Sequence, residues 1–342
     1  MIATMTLDTL ETSSALDAQG FTCRNWRADA DFEKMSRVLI ASKNADELPE
    51  GRTADDLSRM YARMKNFDAR QNLFLVEQDG ELVAYAGCRW FQENNAKFIH
   101  GHWIFVLPEF RGRGIENELL SRVQRRLYEY AAVHPENAEC WFETEAADSQ
   151  AWLSDMVEAD GYQAARYFFD MLRANLENIP EAALPAGIET RPVKPDDMRK
   201  IYYGGEEAFA DDWSAPIVEE GDFERWLKKE IWKPKLWQIA WDGDEFVGMI
   251  LNHVDESENK QYGYKRGHTE DIAVRKPWRR RGVATALLVR SLKMFRDMGF
   301  DSTALGVDTQ NPNDALHLYE SVGYKTVRRF TIYRKRMADR QT

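Results

Sequence analysis

Cysteine is scarce in this chain of 342 residues: Cys23, Cys88 and Cys140 are its only three, odd in number and far apart. A disulfide framework is thereby excluded and no zinc ribbon is suggested, so a reducing cytoplasm is the expected compartment and no metal site is expected. Positive charge is also in short supply. Lys and Arg number 46 against 57 Asp and Glu, a formal net charge of −11, whereas general nucleic-acid or anionic-membrane binders carry a dominant basic face. No apolar run of about 18 residues occurs, which excludes a membrane-spanning helix. Residues 1–20 are polar and threonine-rich and lack an apolar core flanked by basic residues, so they read as a frayed leader and neither a signal peptide nor an anchor.

What the chain does have is core material. Hydrophobic residues make up 44% and aromatics 12%, which argues for globular domains over disorder. The length fits about two domains of ordinary size.

The most informative stretch runs from His268 to Leu288. Ile272, Ala273 and Val274 read as the end of a buried strand, Arg279, Arg280, Arg281 and Gly282 as a basic turn, and Val283, Ala284 and Thr285 as the start of an amphipathic helix. Glycine allows close approach of backbone to ligand, and the unpaired N–H groups and positive dipole end of a helix suit phosphate oxygens. Three arginines before a helix are equally what a solvated charge run looks like. The pattern Arg279-x-x-Gly282-x-Ala284 after a strand, however, resembles the acyl-CoA pyrophosphate loop of the GCN5-related N-acetyltransferases, whose signature is Gln/Arg-x-x-Gly-x-Gly/Ala.

The order of elements occurs twice. Each half opens with a short strand ending near an arginine, passes two helices, turns at Asp79-Gly80 or Asp242-Gly243, and continues through long strands to the strand, loop and helix unit. Val106 corresponds to Val274 and Gly114 to Gly282 at one common offset, and Gly161-Tyr162 and Gly323-Tyr324 each lead into a final strand. A duplication is the economical account. Residues 175–187 hold two prolines, a glycine and no amphipathic period, so they read as a linker. The expected fold class is therefore α/β (α+β): two tandem acetyltransferase-fold domains, 21–174 and 188–337, each a mixed, mostly antiparallel sheet with helices on both faces. This tandem plan resembles mycothiol synthase and its relatives.

Acyl transfer from a thioester to an amine needs the donor held, the amine deprotonated and the leaving thiolate protonated. The loop from Arg279 to Thr285 and the edge of the Ile272-Ala273-Val274 strand are the candidates for holding acetyl-CoA. The resemblance implies that this strand and the next splay apart to admit the pantetheine arm. An alkyl ammonium titrates near ~10.4, so a base is useful at neutral pH. Glu270 is the candidate, expected by strand period to share a face with His268 and Ile272. Polyamine acetyltransferases have a similar Glu-Asp-apolar-apolar-Val segment in which the Glu is a proposed base; an acidic residue ion-paired with Lys265 or Arg266 is the alternative. The segment from Asn311 to Tyr324 resembles the family's other signature, Asn-x-x-x-Ala-x-x-Leu-Tyr. That resemblance implies that Asn311 contacts the cofactor and that Tyr319 reaches its sulfur as general acid; an aromatic packed on the sheet is the alternative for Tyr319, and Asn313 is close enough to be confused with Asn311.

At matching positions the first half has Glu116 for Ala284, Val157 for Tyr319 and His102 for Glu270. A carboxylate there repels pyrophosphate, although it suits a first helical turn. The N-terminal half is expected to be degenerate, shaping the cleft or a dimer surface, or else binding CoA without turnover.

The acceptor is barely specified. Asp212 and Trp213, within an acidic run starting at Glu206, together with His268, are the candidate substrate residues, with a cationic amine held by charge and cation–π contact. A solvated helix face with core tryptophans reads equally well. The leading expectation is an acetyl-CoA-dependent N-acetyltransferase of the cytoplasm acting directly on a primary amine of a small molecule, without metal, nucleic-acid or membrane partner, with a homodimer left open. Acetylation of a cysteinyl amine and a non-catalytic acyl-CoA-binding regulator are the alternatives.

Overall fold

In the computed structural model, residues 14–338 apart from 94, 230, 231 and 312 are described. The leader proposed for residues 1–20 lies largely outside them, as does Pro312. The strands are β1 (Phe21–Asn25), β2 (Leu73–Gln78), β3 (Glu81–Gln92), β4 (Phe98–Val106), β5 (Cys140–Ala147), β6 (Gln163–Arg173), β7 (Ile188–Thr190), β8 (Gln238–Asp242), β9 (Glu245–His253), β10 (Arg266–Val274), β11 (Ser302–Asp308) and β12 (Lys325–Arg336). The helices are α1 (Ser14–Asp17), α2 (Ala30–Ala45), α3 (Ala54–Arg63), α4 (Ala69–Asn72), α5 (Ile115–Ala131), α6 (Ala151–Ala159), α7 (Met198–Phe209), α8 (Asp222–Leu227), α9 (Glu256–Tyr262), α10 (Val283–Asp297) and α11 (Ala315–Ser321). None is long and apolar enough to cross a membrane.

Each half of the chain repeats the plan, and helices cover both faces because the middle strands are apolar on both sides. Leu82 to Cys88 of β3 and Phe246 to His253 of β9 are buried without interruption, the pattern of a strand covered on two faces. One face packs on α5 in the N-terminal lobe and α10 in the C-terminal lobe. The other packs on α2 and α3, or on α7 and α8, and here Trp226 is a core residue beside Tyr202 and Trp237.

The two sheets fuse into one of twelve strands, ordered β1-β2-β3-β4-β5-β12-β6-β11-β10-β9-β8-β7. This departs from two self-contained halves. The last strand of the chain, β12, pairs with β5 of the N-terminal lobe, from Phe330 opposite Ala147 to Arg336 opposite Trp141. In exchange β6 pairs with β11 of the C-terminal lobe, from Thr303 opposite Arg173 to Asp308 opposite Phe168. The physical reason is that β6 and β12 are long, similar and paired to each other, so either can occupy either lobe with the same kind of ladder. Their leading tyrosines do not cross: Tyr162 stays buried against His102 and Tyr324 against Thr269 and Thr303. Residues 175–187 carry no helix or strand, and Leu176 packs on the C-terminal core.

The lobes also meet above the sheet. Tyr262 of α9 receives the backbone N–H of Glu50 at 2.9 Å. Lys65 after α3 pairs with Asp222 at 2.7 Å. Arg334 of β12 pairs with buried Glu93 at 2.6 Å. Where the lobes adjoin, Glu145 of β5, Asp170 of β6 and His268 and Glu270 of β10 lie within electrostatic reach of one another, and Arg328 of β12 pairs with Asp170 at 2.8 Å.

Candidate active site

β10 and β11 are parallel and hydrogen-bond only from Arg266 opposite Ser302 to His268 opposite Ala304. Beyond that they part, as the resemblance implied. A β-bulge causes part of this: the register of β10 on β9 shifts between Glu270 and Ala273, where Asp271 takes φ +46°. A bulge inserts one residue and re-aims those after it. The expectation that Ile272 shares a face with His268 and Glu270 is therefore corrected. Ile272 and Val274 pack on the α10 side, while Ala273 lies among the α7 and α8 residues. β4, the counterpart of β10, runs on β3 without a bulge.

The gap opens into a pocket of about 430 Å³. The loop following β10 closes one end. Gly282 caps α10 with φ +85°, a left-handed conformation that disfavours a side chain, and no side chain caps the helix, so its first-turn N–H groups remain available. Arg279 is not free to serve as a mobile phosphate ligand. Its Nε donates to the Val274 carbonyl at 2.9 Å and its Nη2 to the Ala208 carbonyl at 2.8 Å, which fixes the loop against β10 and α7.

Twelve of the residues singled out from sequence line this one pocket: Asp212, Ile272, Ala273, Val274, Arg279, Arg280, Gly282, Val283, Ala284, Thr285, Asn311 and Tyr319. Four do not. Arg281 points away into solvent. Trp213 has its ring against Arg334 at 4.1 Å and Arg166 at 5.6 Å, and so joins the lobes. His268 and Glu270 sit before the bulge and outside the pocket lining. Sequence reasoning missed Ala208 and Phe209, which also line the pocket, because α7 ends more than sixty positions before the loop and no local signal connects them; it also missed Trp278, although that residue directly precedes Arg279. Asn311 and Asn313 both reach it, and the Asn311 side chain accepts the Asn313 N–H at 2.8 Å.

Tyr319 is buried in the C-terminal core, its ring edge-on to Tyr324 with centroids 6.3 Å apart. Burial, with the neighbouring Tyr324 and the charge of Asp212, pushes its hydroxyl well above the ordinary tyrosine range, so it stays protonated at neutral pH. Glu270 is crowded by protein on its flanks although water reaches its side chain. Burial raises its pKa from the ordinary carboxylate value to about 7, helped by the charges of Asp271 and Asp170.

The matching loop of the N-terminal lobe is occupied from within. Glu116 is buried, and its carboxylate accepts the backbone N–H of Gly112 at 2.7 Å. Arg111 pairs with Asp46 at 2.7 Å and lies 4.6 Å from the Trp152 ring. Val157 is core, and His102 is fully enclosed, its pKa lowered to about 3 by burial.

Residues 39–152 and 203–324 each match the sequence profile described as the acetyltransferase (GNAT) family. A mycothiol acetyltransferase of Pseudarthrobacter chlorophenolicus is 24% identical over 225 residues, a match that spans 65% of this chain and 65% of that protein's length. The crystal structure of a GCN5-related N-acetyltransferase from Sphaerobacter thermophilus superposes with a TM-score of 0.73 at 26% identity, covering 95% of this chain and 97% of the other. A tandem GNAT protein from the clavulanic acid biosynthesis pathway shares the fold, with a TM-score of 0.64 at 12% identity over 92% of this chain and 98% of its own.

Proposed function

The chain belongs to the acetyltransferase (GNAT) family, and we propose that it is an N-acetyltransferase that moves an acetyl group from acetyl-CoA directly to a primary amine of a small molecule. One observation carries this reading: the C-terminal loop keeps its amides free over an open pocket, whereas the N-terminal loop is filled by Glu116. The N-terminal lobe, 21–174, is in this reading a degenerate domain that walls the cleft, and 188–337 is the catalytic one.

Acetyl-CoA supplies an activated thioester. The amides of Val283, Ala284 and Thr285 and the guanidinium of Arg280 suit its pyrophosphate, and Ala284 leaves room where Glu116 stands in the other lobe. The unpaired edge of β10 at Ile272 to Val274 offers backbone groups to the pantetheine amides. Tyr319, protonated at neutral pH and beside that edge, is the candidate donor to the leaving thiolate. Glu270, poised near neutrality and open to water, is the candidate base, directly or through water. No cysteine lines the pocket, which supports direct transfer over a thioester enzyme intermediate.

The similarity to the mycothiol acetyltransferase favours one second reading, an acceptor that presents a cysteinyl amine. An acceptor panel read by mass spectrometry separates the two. Acetylation of simple diamines or amino sugars supports the first, and turnover confined to cysteine-linked amines supports the second. Acetyl-CoA binding without turnover on any amine would mark the chain as an acyl-CoA-binding regulator and reject both.

A further inference from the structure

A side-chain cluster on β9 and β10 lies outside the lining of the acetyl-CoA pocket. His253 ends β9 and stands directly opposite His268 on β10 in the antiparallel register. Their imidazoles stack with centroids 4.8 Å apart and planes within 6°. Glu270, two residues along β10 and still before the bulge, projects to the same side as His268. One ligand atom from each of the three lies within 4.8 Å of the other two. His253 is only 6% exposed, and its Nδ1 has no hydrogen-bond partner; neither has the enclosed Nε2 of His268. A buried imidazole nitrogen is costly to leave unpaired, and native proteins rarely do so without a use for it.

We propose that His253, His268 and Glu270 form a binding site for a divalent transition-metal ion of the zinc class, open to solvent on the Glu270 side. Two imidazoles and one carboxylate are donors that suit such ions, whereas magnesium and calcium take oxygen ligands. Zinc bound at ~2.1 Å in tetrahedral geometry holds its ligand atoms about 3.4 Å apart. The present spacing therefore needs a closure of at most roughly 1.4 Å, within reach of side-chain rotation. The surrounding charge is divided: Asp170, Asp271, Asp255 and Glu258 favour a cation, and Lys229 and Arg266 oppose it. Water reaching Glu270 completes the coordination. The three residues were not legible as a set in the sequence, because only the pairing of β9 with β10 brings His253 to His268.

Occupancy engages the Glu270 carboxylate, so zinc inhibits acetyl transfer; this consequence, unlike binding itself, rests on Glu270 being the base. Calorimetric titration of the full chain with ZnCl₂, and with CoCl₂ followed by visible d–d absorption, tests the site. The expected result is one ion per chain, no comparable binding of MgCl₂, and affinity about tenfold or more weaker in both His253→Gln and Glu270→Gln. Unchanged acetyl-CoA affinity reports that each variant is folded, and Glu270→Gln, whose side chain meets water, keeps the test open where the buried variant misfolds. Absence of zinc binding by the wild-type chain, equal affinity for magnesium, or unchanged zinc affinity in a folded variant overturns the site. Stoichiometric zinc binding that leaves turnover unaltered overturns the inhibition and the role of Glu270 as base, and leaves the site standing.

Discussion

The Glu116 carboxylate accepts a hydrogen bond from the backbone N–H of Gly112 at 2.7 Å, so the N-terminal lobe fills its counterpart of the Arg279–Gly282 loop with part of its own chain. An external phosphate would have to displace a buried, covalently tethered anion.

Titration calorimetry with acetyl-CoA is accordingly expected to give one site per chain. Glu116→Ala removes a hydrogen bond to a charged group and is expected to destabilise the fold by about 2 kcal/mol, seen as a lower denaturation midpoint. Two equivalent sites in the wild-type protein would reject the degenerate reading of this lobe.

Tyr319→Phe keeps the ring packed against Tyr324 and deletes only the hydroxyl. If that group protonates the thiolate, kcat falls by about 10² or more while acetyl-CoA affinity is unchanged. Turnover equal to wild type would remove Tyr319 from the mechanism.

Glu270 titrates at about 7 in the fold, and a base works only when ionised. Turnover at saturating substrate is therefore expected to fall as pH drops through about 7, and Glu270→Gln to lose this dependence along with most of the rate. Stability runs the other way. A carboxyl whose folded pKa is raised holds its proton more tightly in the folded state, so its contribution is fully present below the unfolded value of about 4.5 and is lost as pH rises through about 7. Glu270→Gln should melt above wild type at pH 8 and close to it at pH 4; a constant difference across that range would contradict the shift.

The exchange of β6 and β12 predicts an outcome for chain cleavage. Cutting an engineered protease site placed within residues 175–187 should yield two fragments that co-elute under native conditions and separate only in denaturant, because each contributes a central strand to the other's lobe. Fragments that part in native buffer would contradict the observed strand order.

The element order and the duplication were legible in the sequence, as was a strand, loop and helix at Ile272 to Thr285 that shares one pocket with Asn311 and Tyr319, because each shows in the spacing of residues along the chain. The asymmetry between Ala284 and Glu116 was equally legible, since a carboxylate in place of a methyl group is read directly at matching positions. Trp213 was not: its aromatic ring suited a cationic acceptor in the sequence, yet Arg334 and Arg166 from strands far along the chain lie against it.

Which strand joined which lobe, where β10 bulged and how His253 met His268 were decided only by the tertiary structure. β6 and β12 are both long strands paired to each other, so strand pattern alone assigns neither to a lobe, and a one-residue bulge leaves no trace in a hydrophobic pattern until the neighbouring strand fixes the register. Local chemistry is written in consecutive residues; the pairing of distant strands is settled by the packing of the whole sheet.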